Sequence, residues 1–180
     1  MLLQRSQSCL LIVDVQDRLT PVMSDPRRVI HNCRLLIRAA RRLEIPVLAS
    51  EQYPKGLGST VVDLRQEIAE ADIIAKTHFS AAADPHILAR IEAFGRRQIV
   101  IAGIEAHVCV LQSAIDLAER GFQPAVAMDS CASRRGESEQ MAWGRLRQER
   151  VPLVSVEMAI FEWLHQAGSP EFKELSTLIR

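Results

Sequence analysis

The 180-residue sequence predicts an α/β fold built on a mostly parallel sheet with its strands covered on both faces. Three observations predict it. Short apolar, β-branched runs alternate with longer segments of helical periodicity along the whole chain, which is the pattern of strand–helix–strand units joined by right-handed crossovers. The short runs are apolar nearly throughout rather than alternating, as a strand buried on both faces requires. No internal repeat, low-complexity tract or linker interrupts the pattern, so residues 1–180 read as one domain, and with 48% hydrophobic residues it has enough apolar surface for a real core.

Taken in order, "CLLIVDV" (9–15) is the first strand. The segment 27–44 follows as a helix, because Val29, Cys33, Leu36, Ile37 and Ala40 recur at helical spacing while Arg34, Arg38 and Arg41 fall on the other side. "PVLAS" (46–50) is the second strand, and "SEQYPKGLGST" (50–60), with two glycines and a proline directly after it, is an irregular loop suited to a pocket wall or a plain turn. "DIIAK" (72–76) is the third strand, 85–94 a helix and "QIVIAG" (98–103) the fourth strand. In 107–120 the stripe Leu111, Ala114, Ile115 and Ala118 marks a helix that Gly121 stops. "PAVAMD" (124–129), a helix at 137–149 and "PLVSVE" (152–157) continue the alternation. A short helix near 157–166 and a tail helix at 170–179, opened by Ser169-Pro170, close it.

Composition excludes several functions. The 22 basic and 22 acidic residues cancel, and the clusters at 38–42, 96–97 and 134–135 are dispersed among acids, so no nucleic-acid or membrane-surface partner is expected. No apolar run approaches the roughly 18 residues of a membrane span. The opening "MLLQRSQSCLLIVDVQ" has a short apolar run ending at Asp14 and no small-residue cleavage site, so a cytoplasmic protein is expected. In that compartment Cys9, Cys33, Cys109 and Cys131 read as free thiols, and without CxxC spacing they do not form a zinc knuckle. "DVQDRLT" after the first strand carries no G-x-G-x-x-G, which argues against a dinucleotide site, and no cofactor is expected.

In an open parallel sheet ligands bind beyond the carboxyl ends of the strands, so reactive side chains at those ends carry the functional signal. Asp14 closes the first strand and Lys76 the third, where a lone charge would be costly to bury. Cys109 follows the fourth strand by six residues, in the first turn of the next helix. Singly, each has an ordinary explanation: a turn-forming Asp, a snorkelling Lys, a small buried Cys. Together they place an acid, a base and a thiol at one rim, where Asp14 and Lys76 can neutralise each other.

The segments "LLIVDVQ", "AKTHFSA" (75–81) and "GIEAHVCV" (103–110) resemble the three signature segments of the isochorismatase-like cysteine hydrolases, in order and spacing, over residues 8 to 160. The stretch 50–64 is more similar to the short isochorismatase-domain proteins than to the nicotinamidases. The resemblance implies a Rossmann-like six-stranded sheet ordered 3-2-1-4-5-6, a catalytic triad of Asp14, Lys76 and Cys109, and a homo-oligomer. It also implies a cis peptide at Ile104–Glu105, with N–H groups near Ala106 and Cys109 forming an oxyanion hole. Two departures narrow the chemistry. "ASEQYPKG" (49–56) has no His where nicotinamidases build their metal site, so no metal is expected, and a cysteine nucleophile does not suit the vinyl-ether hydrolysis of isochorismatases proper.

The chemistry expected is therefore hydrolysis of a small-molecule amide or related acyl C–N bond through a thioester. The helix N-terminus and Lys76 are expected to lower the Cys109 thiol below its free pKa of about 8.5. Asp14 takes the thiol proton, and Lys76 keeps Asp14 ionised and oriented. Gln16, Glu51, Gln52, Tyr53, His78 and Phe79 are expected to contact substrate by position, and Glu105 can also line the pocket. His107, two residues before the thiol on a helix, does not face it. A phosphatase Cys-x5-Arg pattern fails at Ile115. The readings from other classes are a non-catalytic interaction module and a thiol redox sensor with Cys131 as resolving cysteine. The apolar tail 171–179 can dock on a neighbour or cover its own sheet.

Overall fold

A computed structural model describes residues 1–179. Six strands form one sheet: β1 (Ser8–Val13), β2 (Val47–Gln52), β3 (Ile73–Lys76), β4 (Gln98–Ile104), β5 (Gln123–Ala132) and β6 (Leu153–Val154). Their spatial order is β3-β2-β1-β4-β5-β6, and every pair is parallel. The order reverses between β2 and β4 on either side of β1, the switch point at which such sheets open a crevice beyond their carboxyl ends.

Side chains alternate across the sheet, and the two sets feed two cores. Leu10, Ile12, Ala49, Val100, Ala102 and Ala125 pack on one face beneath α1 (Pro26–Arg42), α7 (Val156–Leu164) and α8 (Pro170–Leu178). Cys9, Leu11, Val13, Leu48, Ile99, Ile101 and Val126 pack on the other beneath α4 (Pro85–Ala93), α5 (Leu111–Glu119) and α6 (Gly136–Gln148). The tail helix covers its own molecule: Leu175 is buried, and Arg42 of α1 pairs with Glu171 and Glu174.

Three boundaries differ from expectation for physical reasons. β2 runs to Gln52 because Glu51 and Gln52 pair with Ala75 and Lys76, although the apolar run stops at Ala49. Beyond it the loop is largely helical, with α2 (Pro54–Leu57) and α3 (Val62–Arg65). β6 is only Leu153–Val154, because the Ser155 hydroxyl accepts the Met158 N–H and starts α7 at once. The helix after β4 begins with a π turn, Ala106–Val110, ahead of α5.

Candidate active site

Asp14 stands one residue past β1 with φ +54°, in the left-handed region, which an Asp tolerates better than most residues. Its N–H donates to the Ser50 carbonyl of β2. The carboxylate is engaged at both oxygens: Oδ1 accepts the Ser50 hydroxyl at 2.7 Å and Oδ2 accepts the Lys76 ammonium at 2.8 Å. Lys76, the last residue of β3, also donates to Gln52 Oε1 at 2.6 Å and to the carbonyls of His78 and Phe79 at 3.0 and 3.2 Å. Both charged side chains are fully shielded from solvent. A buried ammonium with three donors persists only if each finds an acceptor, and these four oxygens satisfy it.

Cys109 reaches the same place from β4. The Ile104–Glu105 peptide is cis, and the π turn follows at once. Gly103 makes the approach possible: at φ +124° a Cβ would fall on the Val13 carbonyl oxygen and within 2.7 Å of the Val13 nitrogen. The thiol is 5% exposed and lies within the influence of both Asp14 and Lys76. Burial pushes its pKa up to about 12, the Asp14 carboxylate adds to the rise, and Lys76 opposes it. This corrects the expectation of a depressed thiol pKa: shielding and the facing carboxylate outweigh the ammonium and the helix end.

The remaining expected contacts divide into two groups. Gln16, Glu51 and Gln52 are committed within the protein. Gln16 donates to the Gln52 and Gly58 carbonyls and accepts the Gln52 N–H. Glu51 Oε1 accepts from the Thr60 N–H, the Thr60 hydroxyl and Arg65. Tyr53, His78 and Phe79 instead stand exposed at the rim, with Tyr53 and Phe79 each more than half accessible. Tyr53 lies over Gly56, where a Cβ would meet its ring at 2.6 Å.

Around the π turn, the Glu105 carbonyl takes the N–H groups of Val108 and Val110, and the Glu105 carboxylate accepts from Arg134. Ile104 and Ala106, on either side of Glu105, are fully buried. His107 Nδ1 pairs with the Ser133 hydroxyl at 2.8 Å, and Cys131 is sealed in the core with its thiol on the Ala127 carbonyl. Among the described residues no cluster of three His, Cys, Asp or Glu side chains could hold a metal ion. Sequence reasoning missed Ser50 and Gly103. Their signal was available: a hydroxyl two residues before Gln52 on the same strand face, and a glycine closing an otherwise apolar strand.

Sheet order and site together define a Rossmann-like α/β protein that gathers a carboxylate, an ammonium and a thiol at the carboxyl edge of its strands. The chain belongs to the isochorismatase family, whose isochorismatase domain matches residues 8–158. It is 35% identical to isochorismatase domain-containing protein 2 of Danio rerio over 173 residues, covering 96% of this chain and 86% of the relative. It is 34% identical over 179 residues to the secreted isochorismatase effector Isc1 of Phytophthora sojae, covering 96% and 84%. The structure of the MAR1 ribonuclease from Caenorhabditis elegans superposes with a TM-score of 0.93 at 35% identity, over 99% of this chain and 92% of that one. Family membership supports a hydrolase. No helix among the described residues is long and apolar enough to cross a membrane.

Proposed function

We propose that the protein is a cysteine hydrolase that cleaves a small amide or related acyl C–N bond through a thioester, with Cys109 as nucleophile, Asp14 as base and Lys76 as its support. The observation that carries this reading is the fully shielded Asp14–Lys76 pair at 2.8 Å beside an almost equally shielded thiol. Burying two charges and a sulfur together is expensive, and chemistry is the common reason to do so.

The thiol is protonated at rest, so its proton passes to Asp14 as the sulfur attacks the carbonyl carbon, and no free thiolate waits in the site. The oxyanion of the tetrahedral intermediate is held by N–H groups at the start of the π turn, those of Ala106 and Cys109, since a helix leaves its first amides without internal partners. Collapse breaks the C–N bond while Asp14 returns the proton to the departing nitrogen. Water, losing a proton to Asp14, then attacks the thioester; the acid leaves and the sulfur recovers its proton. Lys76, with every donor engaged, is not a nucleophile. Tyr53, His78 and Phe79 form the rim that meets the substrate. A cytoplasmic homo-oligomer, needing neither metal nor organic cofactor, belongs to the same proposal.

The test is a panel of small amides, carbamoyl compounds and thioesters, with an RNA oligonucleotide added because of the Caenorhabditis elegans relative's name. Cys109→Ala is expected to abolish turnover, and intact mass of the rapidly quenched native protein to show an acyl adduct on Cys109. Full activity in Cys109→Ala overturns the proposal, and so does turnover of the RNA alone, because a phosphodiester has no acyl carbon from which a thioester could form.

A further inference from the structure

Four residues around the site are linked in a relay of hydrogen bonds. Gln16, two residues beyond Asp14, grips both main-chain groups of Gln52: its Nε2 donates to the Gln52 carbonyl at 3.0 Å, and its Oε1 accepts the Gln52 N–H at 2.7 Å. The Gln52 side chain then turns toward β3, donating through Nε2 to the Thr77 carbonyl at 2.8 Å and accepting the Lys76 ammonium on Oε1 at 2.6 Å. Lys76 ends the relay on Asp14. We propose that Gln52 is a positioning residue for the reaction: its side-chain carbonyl holds the Lys76 ammonium against Asp14, and Gln16 fixes Gln52 in turn. The inference rests on the cysteine-hydrolase reading above.

The physical case turns on what a neutral acceptor does. Its dipole takes one N–H of the ammonium without adding a charge, so Asp14 remains the one charged group bonded to Lys76. The other two acceptors are the main-chain carbonyls of His78 and Phe79, which lie on the short segment following Lys76 itself. Gln52 is therefore the neutral acceptor that ties the ammonium to a strand other than the one that carries it. The thiol responds to this placement, because the charged groups facing it are Asp14 from the end of β1, Lys76 from β3 and Glu105 at the start of the π turn. Of these only Lys76 favours the thiolate. If the ammonium drifts, two carboxylates remain to oppose ionisation.

The experiment compares native protein with Gln52→Leu and Gln52→Glu, following iodoacetamide labelling of Cys109 at fixed pH values and hydrolysis of whichever panel compound the native protein turns over. Below the thiol pKa the labelling rate follows the thiolate fraction, so a one-unit rise in pKa reads as a tenfold fall in rate. Leu removes the acceptor, and labelling is expected to slow ~3- to 10-fold at each pH. Glu keeps an acceptor in the same shape but adds a charge that competes with Asp14 for Lys76, and the slowing is expected to be larger. Native labelling rates in both variants overturn the proposal, as does a lowered melting temperature with labelling unchanged. If the Leu variant does not fold, the near-isosteric Glu variant decides alone. Failure of the hydrolase reading shows separately, as full turnover in Cys109→Ala.

Discussion

The Lys76 ammonium lies 2.8 Å from the Asp14 carboxylate, and neither side chain has any contact with solvent. A pair so buried is strongly asymmetric to mutation. Lys76→Met leaves Asp14 as an uncompensated buried charge and is expected to cost about 3–5 kcal/mol in urea unfolding. The double variant Asp14→Asn/Lys76→Met removes both charges and is expected to regain most of that stability while remaining inactive. A double variant as unstable as Lys76→Met would show that packing, not charge, sets the cost.

Ser50 is expected to matter for rate more than for binding. Its hydroxyl donates to Asp14 Oδ1 at 2.7 Å in a fully shielded position, and a hydrogen bond to a charged group contributes about 1.5–3 kcal/mol. Ser50→Ala is expected to lower kcat on the order of tenfold or more with little change in KM. Steady-state kinetics on an active panel compound checks it, and a change confined to KM contradicts it.

Gly103 is irreplaceable for steric reasons. Any Cβ would collide with the Val13 main chain, where β4 and β1 run side by side. Gly103→Ala is expected to cost about 3 kcal/mol or more and to recover little folded protein. Gly121→Ala, at φ +86° with open space around its Cβ, is expected to cost only about 1–2 kcal/mol. Comparing their denaturant midpoints separates collision from backbone preference.

The core thiols make the fold sensitive to alkali. Burial raises Cys9 and Cys131 from 9.0 to about 12 and Cys33 well above 9.0. The folded protein holds these protons more tightly than the unfolded chain. Their contribution is therefore complete below pH 9 and drains away as pH climbs toward 12. Between pH 9 and 11 each thiol is expected to remove ~1 kcal/mol of stability per pH unit, readable as a fall in urea midpoint. Replacing Cys9 with Ala is expected to flatten that fall by about one thiol's share, and an unchanged slope would assign the loss elsewhere.

Much of this was legible from the chain, unevenly. Asp14 and Lys76 announced themselves because charge at the end of an apolar strand demands an explanation, and parallel strands bring those ends to one edge. Cys109 was legible through the motif around it, but its proton affinity was not, since that depends on how deeply the π turn sinks the sulfur and how squarely Asp14 faces it. Gln16, Glu51 and Gln52 were recognised as lying near the site, yet their roles were not readable. Position in sequence cannot tell an amide facing solvent from one spent on a neighbouring strand. β6 was overestimated because "PLVSVE" looks extended throughout, while a single hydroxyl at Ser155 turns it into a helix.

The four sulfurs are unequally hidden: Cys9, Cys33 and Cys131 are at most 1% accessible, and Cys109 is at 5% beside the rim. A brief alkylation pulse therefore reads the conformational state of the molecule directly from its mass. All four thiols are free, so the unfolded chain is expected to take up four adducts in the pulse and the native form at most one, at Cys109. The protein thus carries its own gauge of integrity, without dye, tag or tryptophan signal, and any preparation can be graded by counting adducts before an assay begins.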